Sequence, residues 1–161
     1  MDFYGSAAAY KAYHLARARD ESSRDDDDIE QALLIASEWL DGMYDWPGYK
    51  RYNRETQTRD WPRTHVEDRD GWPVDYQTVP IEVEQATYEV AFRWLADPTI
   101  LTPDFTPEKY RRVSIDGALS VEFRGLDASQ VQKQFPVLGT ILARLLGGSS
   151  VSSLTTSVAR V

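Results

Sequence analysis

The sequence predicts a mainly α protein: a small helical bundle of about four helices with one β-hairpin and an extended C-terminal arm. Three observations predict it. Apolar residues recur at the three- and four-residue spacing of a helix face in several stretches. Proline, glycine and aspartate punctuate the chain between those stretches. One Asp-Gly pair, Asp116-Gly117, lies between two short alternating runs, the pattern of a hairpin. With 161 residues, 42% of them hydrophobic, the chain suits one domain with a modest core, and a second full domain would be cramped. Residues 1–148 form the expected helical domain, with a long loop at 47–79 and the hairpin at 110–124; residues 149–161 form the arm.

The first helix is expected from Ser6 to Arg19. Gly5 and Ser6 supply its start, Ala7, Ala8, Tyr10, Ala12, Tyr13, Leu15 and Ala16 are good formers or packers, and Arg17 and Arg19 suit the negative end of its dipole. A polar hinge, Asp20 to Asp28, follows, and its last aspartates fall at the cap and first turn of helix two. Ile29, Ala32, Leu33, Ala36, Leu40 and Met43 trace that helix's apolar stripe, which stops near Trp46-Pro47-Gly48. Helix three runs from Pro80, at the favoured first position, to about Ala96. On a wheel Glu82, Gln85, Glu89 and Arg93 share a narrow polar arc, and apolar residues fill most of the rest, interrupted by Glu84 and Thr87. A surface helix needs an apolar stripe only a little over about 100° wide. This one is therefore either the central helix of the bundle or packs one flank on a neighbouring subunit.

A proline-punctuated connector from Asp97 to Pro107 leads into the hairpin. Val113 and Ile115 share one face, as do Leu119, Val121 and Phe123, so bringing both sets to one side needs an odd-length loop with Gly117 in a left-handed bulge position. A last apolar helix spans Phe135 to Leu146 and is closed by Gly147-Gly148. The arm is rich in Ser and Thr. It is either a disordered tail or an element ordered by a partner, because Val151, Leu154, Val158 and Val161 recur every three or four residues and Arg160 adds a cationic tip.

Charge is uneven. Residues 1–108 carry 11 Lys+Arg against 23 Asp+Glu and residues 109–161 carry 7 against 3, within a net charge of -8. Such asymmetry suits two faces with different partners, and the acidic bulk argues against phosphate-driven sequestration of nucleic acid. The absence of cysteine excludes disulfides and thiolate metal sites. No apolar run approaches the roughly 20 residues of a membrane span, and no secretory signal is evident, so a soluble protein without membrane contact is expected. The two histidines, His14 and His65, have no helical partner at metal-ligand spacing, and Asp25 to Asp28 lacks the alternating ligands and mid-loop glycine of a calcium loop. Nucleophile elbow, phosphate loop and dinucleotide patterns are absent. No catalytic residue, metal ligand or cofactor is therefore expected.

The loop between helices two and three is the richest segment. Loops longer than about 12 to 15 residues in a compact domain are uncommon and tend to be functional or disordered. Trp61, Trp72, Tyr76 and several prolines favour order here. Trp61, Arg63, Arg69 and Trp72 could form a base-stacking platform, but Asp60, Glu67, Asp68, Asp70 and Asp75 would repel phosphates. A protein-contact loop is the better expectation, since aromatics and arginine anchor interfaces.

The order of short motifs carries a further reading. Tyr4-Gly5-Ser6 with Ala12-Tyr13-His14, the acidic hinge and Ile29 to Ser37, then Trp61-Pro62-Arg63, Asp70-Gly71, Val79-Pro80 and Ala86-Thr87-Tyr88-Glu89-Val90-Ala91, resemble a tailed-bacteriophage family labelled DnaT-like single-stranded-DNA-binding proteins. The chain is also similar to the head-to-tail connector (adaptor) proteins of long-tailed phages, over nearly its whole length to about Gly147. That resemblance implies a mainly helical virion subunit, located in the neck after assembly in the host cytoplasm. It would form a ring of about twelve copies, bound to the portal on one side and to a stopper or tail-terminator protein on the other. DNA would pass through the lumen without specific binding, and the arm would reach the portal. The residues expected at partner surfaces are Trp61, Arg63, Trp72, Tyr88 and Phe92 in the body, and Val151, Leu154, Val158, Arg160 and Val161 in the arm. The alternative is a small single-strand-binding replication accessory, salt-sensitive and dependent on Arg111 and Arg112.

Overall fold

A computed structural model describes residues 2–53, 55–101 and 135–146. Four helices account for nearly half of the described residues: α1 (Ala7–Leu15), α2 (Asp26–Met43), α3 (Ile81–Ala96) and α4 (Pro136–Leu142), with a 3-10 turn at Pro98–Leu101. Two short strands, β1 (Tyr49–Lys50) and β2 (Arg63–Thr64), pair antiparallel within the long loop, Tyr49 opposite Thr64 and Lys50 opposite Arg63. The expected hairpin at 110–124 and the arm at 149–161 lie outside the described residues.

Each helix starts where its cap chemistry permits. The Ser6 hydroxyl accepts from the Ala9 amide and opens α1. Asp25 does the same for α2 through the Asp27 amide, and Asp26, Asp27 and Asp28 place negative charge at the positive end of its dipole. Pro80 is the N-cap of α3, so the helix begins at Ile81, one residue later than expected, with Glu82 and Glu84 in the first turn. Pro136 opens α4 at its first position. α1 ends at Leu15, short of Arg19, and turns through Ala18, whose φ of 57° is left-handed.

The predicted stripe of α2 is the core's largest contribution: Ile29, Ala32, Leu33, Ala36 and Leu40 are all fully buried. Burial of an Ile or Leu side chain contributes about 1.5–3 kcal/mol. α3 lies against α2 and is flanked by α4, the 3-10 turn and α1. Ala86, Thr87, Tyr88, Glu89, Val90 and Ala91 are buried without a break, so every side of its middle is covered. Of the two readings open for α3, the structure shows the central helix, and its wide apolar perimeter gives no reason to require sister copies.

The polar arc of α3 is not a solvated face. Glu89 is only 2% exposed. Its Oε1 accepts from the Tyr13 hydroxyl at 3.1 Å and from Arg19 Nη1 at 3.1 Å, and its Oε2 accepts from Arg93 Nη1 at 2.6 Å. Burial alone would raise its pKa, but the hydrogen bonds and charges of Arg93 and Arg19 hold it below the ordinary carboxylate value. The left-handed Ala18 explains the geometry, because it turns the chain at the end of α1 so that Arg19 points back to α3. His14, fully buried beside this cluster, places Nε2 3.2 Å from the Tyr88 carbonyl. Its ring stacks on Phe92 at 4.8 Å. Gly5 (φ +82°) lets the Tyr88 ring press on the backbone; a Cβ there would lie 2.2 Å from the Tyr88 hydroxyl oxygen.

Candidate functional site

The loop at 47–79 is ordered because buried polar groups clamp its backbone. Arg63 gathers carbonyls with its guanidinium, donating to Pro47 at 2.7 Å, Gly48 at 2.8 Å and Trp46 at 3.1 Å. The Gln57 amide donates to the carbonyls of Arg59 and Pro62, while its oxygen accepts from the Tyr52 amide. Tyr4 Oη donates to Asp41 at 2.6 Å and accepts from the amides of Asp60 and Trp61 at 3.0 and 3.1 Å. Burial, then the Asp41 carboxylate beside it, push the Tyr4 phenol far up. These bonds satisfy backbone groups that a long loop would otherwise leave unpaired.

The second half of the loop folds onto α4. Asp68 accepts from the amides of Asp70 and Trp72, Val74 donates to the Val66 carbonyl, and an isolated bridge joins Glu67 to Pro73. The Arg69 amide donates to the Arg144 carbonyl at 2.8 Å, and Arg144 reaches Asp68 at 3.5 Å. Hydrogen bonds from the Trp72 and Asp70 amides hold the Asp68 carboxyl below its usual value.

The structure separates the expected partner residues. Trp61 is buried, edge-on to Trp46 with centroids 5.7 Å apart, and Tyr88 is buried in the core. Both were expected at a partner surface; they lie inside because the loop and α1 close over them. Arg63 is occupied by backbone carbonyls and is a clamp. Phe92 is half-buried between His14 and the Arg19 guanidinium. Trp72 is exposed. Val151, Leu154, Val158, Arg160 and Val161 lie outside the described residues, as do Arg111 and Arg112.

The clamp turns a different set outward. Tyr49 is 72% exposed, Trp72 71%, and Tyr52 and Tyr76 51% each. They are four of the six large hydrophobic side chains exposed among the described residues, the others being Leu15 and Ile81, and all four belong to this loop. The Arg51 guanidinium lies 4.7 Å from the Tyr52 ring and 5.6 Å from the Tyr76 ring. Its Nη1 donates to the Gln77 carbonyl at 3.3 Å, and among the described residues it makes no ion pair within 4 Å, whereas Lys50 pairs with Asp60 and Arg59 with Glu38 and Asp41. His65, φ 57°, stands edge-on to Tyr49 at 6.0 Å. Gly48 (φ +70°) fixes that turn, since a Cβ on it would fall 2.2 Å from the Thr64 carbonyl oxygen. The face is therefore tyrosine, arginine and histidine around β1 and β2. Of the loop residues expected at a contact, Trp61, Arg63 and Trp72, only Trp72 is among the exposed rings; the signal that marks the tyrosines is Tyr49-Lys-Arg-Tyr52, tyrosines flanking cations.

Among the described residues no group of three or more His, Asp or Glu side chains is placed to hold a metal ion, and no helix is long and apolar enough to cross a membrane. The model of a family described as "Putative DnaT-like ssDNA binding protein" matches residues 1–161. No curated protein and no solved structure matches.

Proposed function

We propose, from the premise that this chain belongs to that family of DnaT-like ssDNA-binding proteins, that it is a non-catalytic binding protein holding single-stranded DNA on the aromatic face of its loop. One observation carries the reading: Tyr49, Tyr52, Trp72 and Tyr76 are exposed on one loop, with Arg51 beside two of the rings and in no ion pair within 4 Å among the described residues. Base–aromatic stacking contributes about 1–3 kcal/mol per base and tolerates any sequence. It also needs no basic face, which suits a body whose other loop cations are engaged internally. Each phosphate neutralised on a single strand adds about 0.7 to the log–log salt slope, so a face with one arginine outside the ion pairs gives a shallow slope. A fluorescence shift assay with a labelled oligonucleotide tests this. Binding is expected at low salt, with about tenfold or greater weakening in Tyr52→Ala/Tyr76→Ala. No binding at low salt would refute it. A steep salt dependence abolished by changing Arg111 and Arg112 would instead place the contact on residues 109–124.

A second reading, a head-to-tail connector subunit in the phage neck, is favoured by the charge balance. Residues 1–108 carry 11 Lys+Arg against 23 Asp+Glu, and Arg19, Arg59, Arg63 and Arg93 are held by carboxylates or carbonyls. Such a surface suits a wall past which DNA slides. The same aromatic face then anchors a portal, tail or sister subunit. Negative-stain images of the protein alone and mixed with portal protein decide it: rings support this reading, and monomers in both samples remove it.

A further inference from the structure

Beside the exposed rings lies a cleft of about 450 Å³, within the range of roughly 300–1,000 Å³ that small-molecule sites occupy. Val66, Pro73 and Val74 give it an apolar floor, His65 and Tyr76 stand at its sides, and Glu67 borders it. Three features suit it to one base. Tyr76 offers an exposed ring to stack on, with the Arg51 guanidinium 5.6 Å away, where it donates to the Gln77 carbonyl. His65 has a left-handed conformation that only a few per cent of non-glycine residues adopt, and its carbonyl lies close to Gly48. Glu67 is exposed and unpaired among the described residues. The loop's aspartates all have partners: Asp60 has Lys50, Asp68 the Trp72 amide, Asp70 Arg69, and Asp75 the Gln77 amide and Thr78.

We propose that this cleft receives a single unstacked base and prefers one with an exocyclic amine, cytosine over thymine. The proposal rests on the single-strand-binding reading above. A carboxylate accepts from the cytosine amine but meets the acceptor oxygen of thymine with repulsion, and Glu67 is the free acceptor at this cleft. Because the contact is exposed, the preference is modest, about tenfold.

Fluorescence anisotropy with labelled oligo-dC and oligo-dT of equal length, at mildly alkaline pH so that cytosine is unprotonated, tests it on wild type, Glu67→Gln and Tyr76→Ala. Wild type is expected to bind oligo-dC about tenfold tighter. Glu67→Gln erases the preference by weakening oligo-dC and leaving oligo-dT unchanged or tighter, since an amide can donate to the thymine oxygen. Tyr76→Ala weakens both. Equal binding of the two oligonucleotides by wild type, or a preference that survives Glu67→Gln, overturns the cleft and leaves the single-strand reading standing. Failure of wild type to bind either oligonucleotide overturns both.

Discussion

Glu89→Gln removes the charge at the centre of the only carboxylate that is buried in the described core. The amide keeps one acceptor oxygen for Tyr13 or an arginine, but its nitrogen would face the guanidinium of Arg93, now 2.6 Å from Oε2, donor against donor. Hydrogen bonds to charged groups contribute about 1.5–3 kcal/mol each. The arginines are partly wetted, Arg19 at 36% and Arg93 at 26% exposure, and water screens part of the attraction. The expected loss is thus at the lower end, about 2–3 kcal/mol in total. For a chain of 161 residues, about 2–4 °C per kcal/mol gives a fall in Tm of roughly 4–12 °C. Urea unfolding followed by circular dichroism at neutral pH measures it, with the exposed Glu30→Gln as a control expected within about 0.5 kcal/mol of wild type. A loss below about 0.5 kcal/mol in Glu89→Gln would show that the carboxylate is not holding α1 to α3. A double-mutant cycle with Arg93→Met then isolates the pairwise part.

Trp61→Ala should cost about 3–5 kcal/mol through the cavity left beside Trp46, whereas Trp72→Ala on the exposed face should stay within about 0.5 kcal/mol in the same unfolding assay. Equal effects would overturn the division of this loop into an inner clamp and an outer face. His14 contributes a pH dependence of definite sign. Burial holds its pKa below 6.5 in the folded protein, so below that pH the unfolded chain takes up a proton that the native protein refuses, and stability falls as pH falls from 6.5 toward the folded value. Thermal melts across this range should show the decline, and His14→Gln should flatten it. Glu89 adds a second loss, beginning below its ordinary value of 4.5 and complete once pH has fallen through its lowered folded value.

The helices were legible in the sequence to within a few residues, because their signals are local: Ser6 and Asp25 as caps, the Ile29 to Leu40 stripe, and Pro80 and Pro136 at helix starts. The order of the central loop was legible too, from its tryptophans and prolines. Its facing was not. Trp61, Trp72 and Trp46 each precede a proline, so nothing near them says that two lie inside and one outside. The chain's composition and its spacing therefore determined a mainly helical body, an uneven charge and an aromatic loop. Tertiary structure alone decided that Glu89 is a buried anchor, that α3 is sheathed by its own chain, and that Tyr49, Tyr52 and Tyr76 face outward. Periodicity reports which residues share a side of one element. What covers that side depends on contacts between residues far apart in the chain, such as Arg19 with Glu89 and Tyr4 with Asp60, and these form only when the elements pack.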